Sequence, residues 1–221
     1  MKEYKIKIEV NSPLLLGSGE GWSSLIDIDI VFDNYGLPYF PARRLKGLLR
    51  ESALEVVEMF DKAKLDCFWD KEKEVLDSLF GKKGDIKGSF AHFNNLYVPQ
   101  YEDVVSWLKW AFKKFPEVVT IDAVLDVLTE VRQQTAVNND GTVRPNSLRT
   151  LRVLKPGAEF EGKVTFEKED ETAVKLLALA CVNLRHIGSN RSRGFGEVTC
   201  SLWEKDRDVS SHILEELKGG I

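Results

Sequence analysis

Arg43, Arg44, Lys46 and Arg50 stand in a nine-residue stretch, 42–50, that contains no acid. Guanidinium and ammonium groups at that density bind anions, and a polyanion best of all. Pro41 suits the first helical position. Leu45, Leu48, Leu49, Ala53, Val56, Val57 and Phe60 then recur at helical spacing, so the cations open an amphipathic helix. That is the wrong charge for a helix start, where the macrodipole favours acids by about 0.3–1 kcal/mol each. Glu51, Glu55 and Glu58 lie toward the other end instead. Gly47 costs the helix about 1 kcal/mol relative to alanine, which makes sense where something must approach the backbone closely. A phosphate at this terminus would satisfy free N–H groups, dipole and cations together. Acidic loops packed on the same cations are the competing explanation.

Two further basic windows follow. Arg132, Arg144, Arg149, Arg152 and Lys155 meet only Asp140 between residues 132 and 155, and Arg185, Arg191 and Arg193 meet no acid between 185 and 195. The net charge is −4, so the chain as a whole is no generic polyanion binder. Exposed charges are screened beyond about 8–10 Å, however, and local sign decides what docks locally. Ordinary solvated surface is the alternative reading of all three windows.

The third window contains the densest chemistry, His186-Ile187-Gly188-Ser189-Asn190-Arg191-Ser192-Arg193-Gly194-Phe195-Gly196. Gly188 could serve as a helix C-cap, with Arg185 and His186 complementing the dipole. The remaining arginines, serines and glycines make a tight turn entering a strand. The order is helix–loop–strand, the reverse of the strand–loop–helix that dinucleotide and P-loop sites require, which disfavours a nucleotide cofactor. A loop pressed against a nucleic-acid backbone fits better.

Other chemistries lack their residues. His92, His186 and His212 share no HxxxH or HExxH spacing, Cys67, Cys181 and Cys200 form no CxxC, and Ser18, Ser23 and Ser24 lie in no GxSxG elbow. The longest apolar candidate, 174–184, falls short of the roughly 20 residues of a membrane helix. The strand-like start MKEYKIKIEV is no signal peptide, so a cytoplasmic protein with no membrane partner is expected. Hydrophobic content of 43% and charged content of 30% are ordinary for a globular α+β chain.

The elements that must position these residues follow from periodicity. Tyr4, Ile6, Ile8 and Val10 alternate as a first strand ending at Asn11-Ser12-Pro13. Gly17 to Gly21 is a loop, 25–32 a second strand, and Asp33 to Gly36 its turn. A short helix within 61–85 closes at Gly81 and Gly84, 88–98 is a strand, and 102–115 is a helix whose Leu108, Phe112 and Phe115 face the core. The stretch 116–150 holds a protruding hairpin around Asn138-Asn139-Asp140-Gly141. Strands at 148–154 and 159–166 join at Pro156-Gly157. Asp170 caps a helix from 172 to about 187, a last strand spans 195–203, and an amphipathic helix begins near Ser210. This order suggests a ferredoxin-like core with insertions.

GLPYFPARRLKGLLR at 36–50 resembles the pattern G-x-P-Y-I-P-G-S-S-L-K-G-x-x-R, and GSNRSRGFGEV at 188–198 resembles the glycine-rich loop of the same group. That group is the RAMP superfamily of CRISPR-associated RNA-binding proteins. Leu79-Phe80-Gly81 and LRTLRVLKPGAEFEGKV at 148–164 are similar to the backbone subunits of its type III effector complexes. Ala42-Arg43-Arg44 departs from the pattern's Gly-Ser-Ser. The resemblance implies one domain over 1–221: a modified ferredoxin-like, RNA-recognition-type core with an inserted thumb and helical segments, the insertions at about 61–86 and 99–147. It implies guide RNA and complementary target RNA as partners, together with other effector subunits, copies of the chain itself included. Arg43, Arg44, Lys46, Arg50, Arg132, Arg149 and the loop Gly188, Ser189, Asn190, Arg191, Ser192, Arg193, Gly194 and Gly196 are the expected RNA contacts. Counting back from Gly36, Asp27 falls in register with the aspartate by which such subunits cleave target RNA, with Asp29 as the alternative. Asp27 would then hold a divalent cation such as Mg²⁺. The solvent face of a strand is the plain alternative for both acids. A guide-processing endoribonuclease of the same superfamily, and an interaction module that binds no RNA, are the competing functions.

Overall fold

The computed structural model describes residues 1–18, 26–64, 72–82, 88–136, 138–168 and 170–219. Strand β1 (Lys2–Val10) buries Tyr4, Ile6, Ile8 and Val10 on one face, as its alternation dictates. Helix α1 (Ala42–Ala63) and the short α2 (Glu72–Phe80) follow, then β2 (Ala91–Phe93). Next come α3 (Tyr101–Lys114), α4 (Ile121–Leu128), β3 (Thr129–Gln134) and β4 (Arg149–Leu154). The chain closes with β5 (Glu159–Phe166), α5 (Glu171–Asn183), β6 (Val198–Glu204), β7 (Arg207–Asp208) and α6 (Val209–Gly219).

One antiparallel sheet runs β2-β5-β1-β6-β7. The series β1-α1-β2-β5-α5-β6 is the split βαβ unit of the ferredoxin-like fold, as expected. Helices α1 and α5 pack against each other over the buried face, where Ser52 donates its hydroxyl to the Ala180 carbonyl at 2.8 Å. Phe40 meets Phe160 edge-on, ring centroids 5.0 Å apart, in the same core. Each such buried side chain contributes about 1.5–3 kcal/mol. The opposite face is a charge ladder: Lys5 pairs with Glu161 at 3.1 Å, Lys163 with Glu3 at 3.0 Å, and Lys7 covers the Trp203 ring at 3.9 Å. RNA-recognition sheets stack bases on exposed aromatics of that face; here its described tryptophan is already capped.

Several expectations shift in detail. Residues 26–32 make no strand of the main sheet. They run extended beside β4 and meet their neighbours only in isolated bridges, Ile28 with Leu151, Ile30 with Gly17 and Phe32 with Pro38. Gly19, Gly21, Leu25 and Gly84 lie outside the described residues. Strand 88–98 is broken after Phe93, because the chain crosses β5 so closely there that a Cβ on Gly162 would lie 2.4 Å from the Asn95 carbonyl. Helix α5, capped by Asp170 on the Ala173 amide at 3.0 Å, stops at Asn183 rather than near 187. The freed segment pairs back on the start of β6, Ile187 donating to Gly196 and Val198 to Arg185 at 2.8 Å each. Phe115 is 45% exposed, since α3 ends before it, while Leu108 is buried. Strands β4 and β5, joined at Pro156-Gly157, belong to different sheets: β4 pairs with β3 as a hairpin whose turns lie between 135 and 148.

Candidate nucleic-acid interface

A second, smaller core organises the site. Leu15, Leu151, Val153 and Phe195 are buried together with Ile28 packed on them, so four distant segments meet at one point. The glycine-rich loop is anchored there by main-chain bonds, Ser189 donating to Leu15 at 3.2 Å and Gly196 to Pro13 at 2.9 Å. Gly188 and Gly196 have φ of +81° and +78°, and a Cβ would lie 2.4 Å from the Leu15 carbonyl and 2.0 Å from that of Ile187. Both glycines are therefore dictated by the fold. Gly194, at φ +77°, has open space where a Cβ would stand. Between them Arg191–Arg193 forms one exposed 3₁₀ turn, entered through Asn190 in the left-handed region. Arg191 steadies the turn by donating from Nε to the Gly188 carbonyl at 3.0 Å.

Two clefts flank this turn. The first, about 690 Å³, separates the loop from the β3–β4 hairpin, and Ile28, Gln134, Arg144, Arg149, Asn190 and Arg193 line it. All three arginines are exposed, so two of the three basic windows converge on one cavity with planar forks free to turn toward phosphate. Arg132, on β3, pairs with Glu130 at 2.6 Å and lays its guanidinium over Phe195 at 5.6 Å, bracing hairpin against loop. The second cleft, about 560 Å³, lies between α1 and the loop, with Arg185, His186 and Arg191 on one side and Glu51 and Glu55 on the other. Gln134 and Arg144 carry no spacing signature that would have singled them out. Arg144 belonged to a basic window, and only the hairpin's return aims it at the cleft.

The first window splits in two. Arg43 is exposed, and Arg44 donates to the Gly17 carbonyl at 2.6 Å. Lys46 reaches the other way, to the Ser89 hydroxyl at 2.6 Å, and Arg50 pairs with Asp77 of α2 at 3.4 Å. Burial, and then the Arg50 charge, hold the Lys46 ammonium below the usual lysine range. The helix start has no side-chain cap from Pro41, but the Ala42 amide donates to Asn95 Oδ1 at 2.8 Å. An incoming phosphate would thus find the first amide occupied. Gly47 is open, with nothing near a would-be Cβ.

The two aspartates have opposite environments. Asp27 is exposed, and its Oδ2 accepts the Thr150 amide at 2.7 Å. Its own amide donates to the Thr150 carbonyl at 2.9 Å. Asp29 is 1% exposed and pairs with Arg152, Nε to Oδ1 at 3.2 Å, which removes it from any substrate. Among the described residues no three His, Cys, Asp or Glu side chains gather as a metal cage. A lone carboxylate beside an arginine-lined cleft fits Mg²⁺, which characteristically takes one or two protein carboxylates and completes its shell with phosphate and water. His92 is occupied with Glu167 at 2.8 Å and His212 with Glu216 at 3.0 Å.

No curated protein matches the chain. Among solved structures, a chain of the type III-B Cmr-beta complex bound to cognate target RNA superposes with a TM-score of 0.66 at 16% identity, covering 93% of this chain and 98% of that one. A chain of the same complex in its apo state gives 0.64 at 14% identity with the same coverage. These likenesses speak for the fold. The sequence speaks for the lineage: the model of the RAMP superfamily matches residues 7–199, from within β1 into β6, and the chain belongs to that superfamily.

Proposed function

We propose that this chain is an RNA-binding subunit of a type III CRISPR ribonucleoprotein effector, holding guide RNA by its backbone while base pairing reads the target RNA. The observation that carries this reading is the convergence of Arg144, Arg149 and Arg193 on one cleft bordered by the glycine-rich loop. Backbone-directed arginines bind without reading sequence. The type III-B complex of the structural neighbours, described with target RNA bound, supports the same reading, as does membership of the superfamily. Other effector subunits, further copies of this chain among them, are the partners it implies. No helix among the described residues is long and apolar enough to cross a membrane, and a cytoplasmic location is part of the proposal.

Cleavage of the target is the second part. In this reading Asp27, held by the Thr150 amide one residue from Arg149, orients a ribose 2′-hydroxyl or takes one position on a cation. The 2′-oxygen gives its proton to water and attacks the adjacent phosphorus; the bond to the 5′-oxygen breaks, leaving a 2′,3′-cyclic phosphate and a 5′-hydroxyl that takes its proton from water. A bound Mg²⁺ would supply charge stabilisation at that phosphate. Arg149 and Arg193 fix the phosphates on either side.

Labelled single-stranded RNA titrated across a salt series tests the proposal. Log affinity should fall with log salt by about 0.7 per neutralised phosphate. Arg191→Ala/Arg193→Ala should flatten that slope by about 1.4. Asp27→Ala should bind as wild type and lose all Mg²⁺-dependent cutting. A slope unchanged in the double variant, with the protein folded, overturns the site.

A further inference from the structure

Arg152 counts as a surface cation in the sequence, yet the fold buries it to 8% side-chain exposure. Its Nε faces Asp29 Oδ1 at 3.2 Å, and its Nη1 faces Asp126 Oδ1 at 3.2 Å and Thr129 Oγ1 at 3.3 Å. Asp29 Oδ1 accepts the Ile30 amide at 2.8 Å, while its Oδ2 and Arg152 Nε are both buried without a hydrogen-bond partner, so the two side chains meet as an ion pair only. Such a pair is a poor investment for stability alone, since well-packed apolar residues often do as well or better. What it does offer is register. Segment 26–30 is tied to β4 by one isolated bridge and few main-chain bonds, Ile28 to Thr150 at 3.3 Å and Arg152 to Ile28 at 3.0 Å among them. A slip by one residue would turn Asp27 to the opposite face.

We propose that Arg152 and Asp29 form a buried positioning pair that locks segment 26–30 onto β4, so that Asp27 stays seated on the Thr150 amide beside the arginine cleft. The consequence for cutting rests on the reading of Asp27 given above; the lock itself does not. Through Asp126 and Thr129 the same guanidinium also grips the end of α4 and the start of β3, so hairpin and Asp27 segment are set by one side chain.

Two variants test the lock in the full chain. Asp29→Asn removes the charge but keeps an acceptor for Ile30. Asp29→Leu/Arg152→Met replaces the pair by apolar groups and guards against mere unfolding. Amide hydrogen exchange at Thr150 should speed up about tenfold in both, while Ile8 of β1 keeps its protection. RNA affinity should stay within about twofold, and cutting at saturating RNA should fall about a hundredfold, the expected cost of a misplaced reacting group. Unchanged exchange at Thr150 in both variants overturns the proposal, whatever happens to activity. Faster exchange in variants of a protein that never cuts RNA upholds the lock and removes Asp27 from catalysis.

Discussion

Gly188, Gly194 and Gly196 share positive φ, and only their neighbours tell them apart. At Gly196 a methyl group would drive into the Ile187 carbonyl at 2.0 Å, and that carbonyl cannot move without breaking the pairing of 185–187 with the start of β6. At Gly194 the methyl would meet nothing. Gly196→Ala should therefore cost about 3 kcal/mol or more in urea unfolding, combining left-handed strain with a forced backbone shift. Gly194→Ala should cost only the left-handed term, about 1–2 kcal/mol. Equal losses would mean that the contact at Ile187 is relieved at no expense. The sequence marks all three as loop glycines without ranking them, because the carbonyls they must clear come from segments brought in by the fold. Arg152 teaches the same point in reverse: it counts only as one more cation of a basic window until Asp29, a hundred and more residues earlier, is seen beside it.

At the scale of elements, α1 explains its reversed charges only in part. Three of its four cations satisfy neighbours, the Gly17 carbonyl, Ser89 and Asp77, and the acceptor at its first amide is Asn95. The approach to α1 is set by Asp33, whose Oδ1 accepts the amides of Tyr35 at 2.8 Å and Leu37 at 3.0 Å and whose Oδ2 accepts the Tyr101 hydroxyl at 2.6 Å. Helix α3 is thereby tied to the turn that leads into α1. Burial first, then the bond and charge of Asp33, push the Tyr101 phenol far above its ordinary value. A raised folded-state value stabilises fully below the unfolded phenol range near pH 10 and is lost as pH climbs past it. Tyr101→Phe should then lower urea stability at pH 7 by about 1.5–3 kcal/mol, the usual worth of a bond to a charged acceptor. The gap to wild type should narrow above pH 10, and a gap constant to pH 11 would assign the loss to packing instead. The alternating pattern of 26–32 foretold extended backbone, and extended it is. Nothing in an alternating pattern names the partner, and β4 rather than the main sheet claims it.

For the whole molecule, the βαββαβ order was legible because each element carries its own period, two for β1 and 3.6 for α1, and because Asp170 announces α5. Pairing between sheets was not, since β4 and β5 are separated by only four residues yet face different partners. That division makes the hairpin an appendage to the ferredoxin-like core, and its tip is self-contained. Asn138 Nδ2 donates to Thr142 Oγ1 at 3.0 Å, Asp140 Oδ1 accepts the Thr142 amide at 3.0 Å, and Ser147 donates to the Arg144 carbonyl at 2.6 Å. The bonds from Thr142 hold the Asp140 carboxyl below its usual range. None of the exposed residues from 138 to 146 belongs to either core. Replacing 138–146 by two glycines should therefore leave the thermal midpoint within about 1 °C, under the shift of about 2–4 °C that 1 kcal/mol produces in a chain of this size. RNA should bind more weakly, and with Arg144 gone the salt slope should drop by about 0.7. If RNA binds at the proposed cleft of a chain of net charge −4, local cations rather than total charge carry it, so losing one of them should be felt at low salt and vanish at high. A deletion that leaves both affinity and slope intact would move the RNA path off the hairpin and onto the α1 side of the glycine-rich loop, where Arg191 lies.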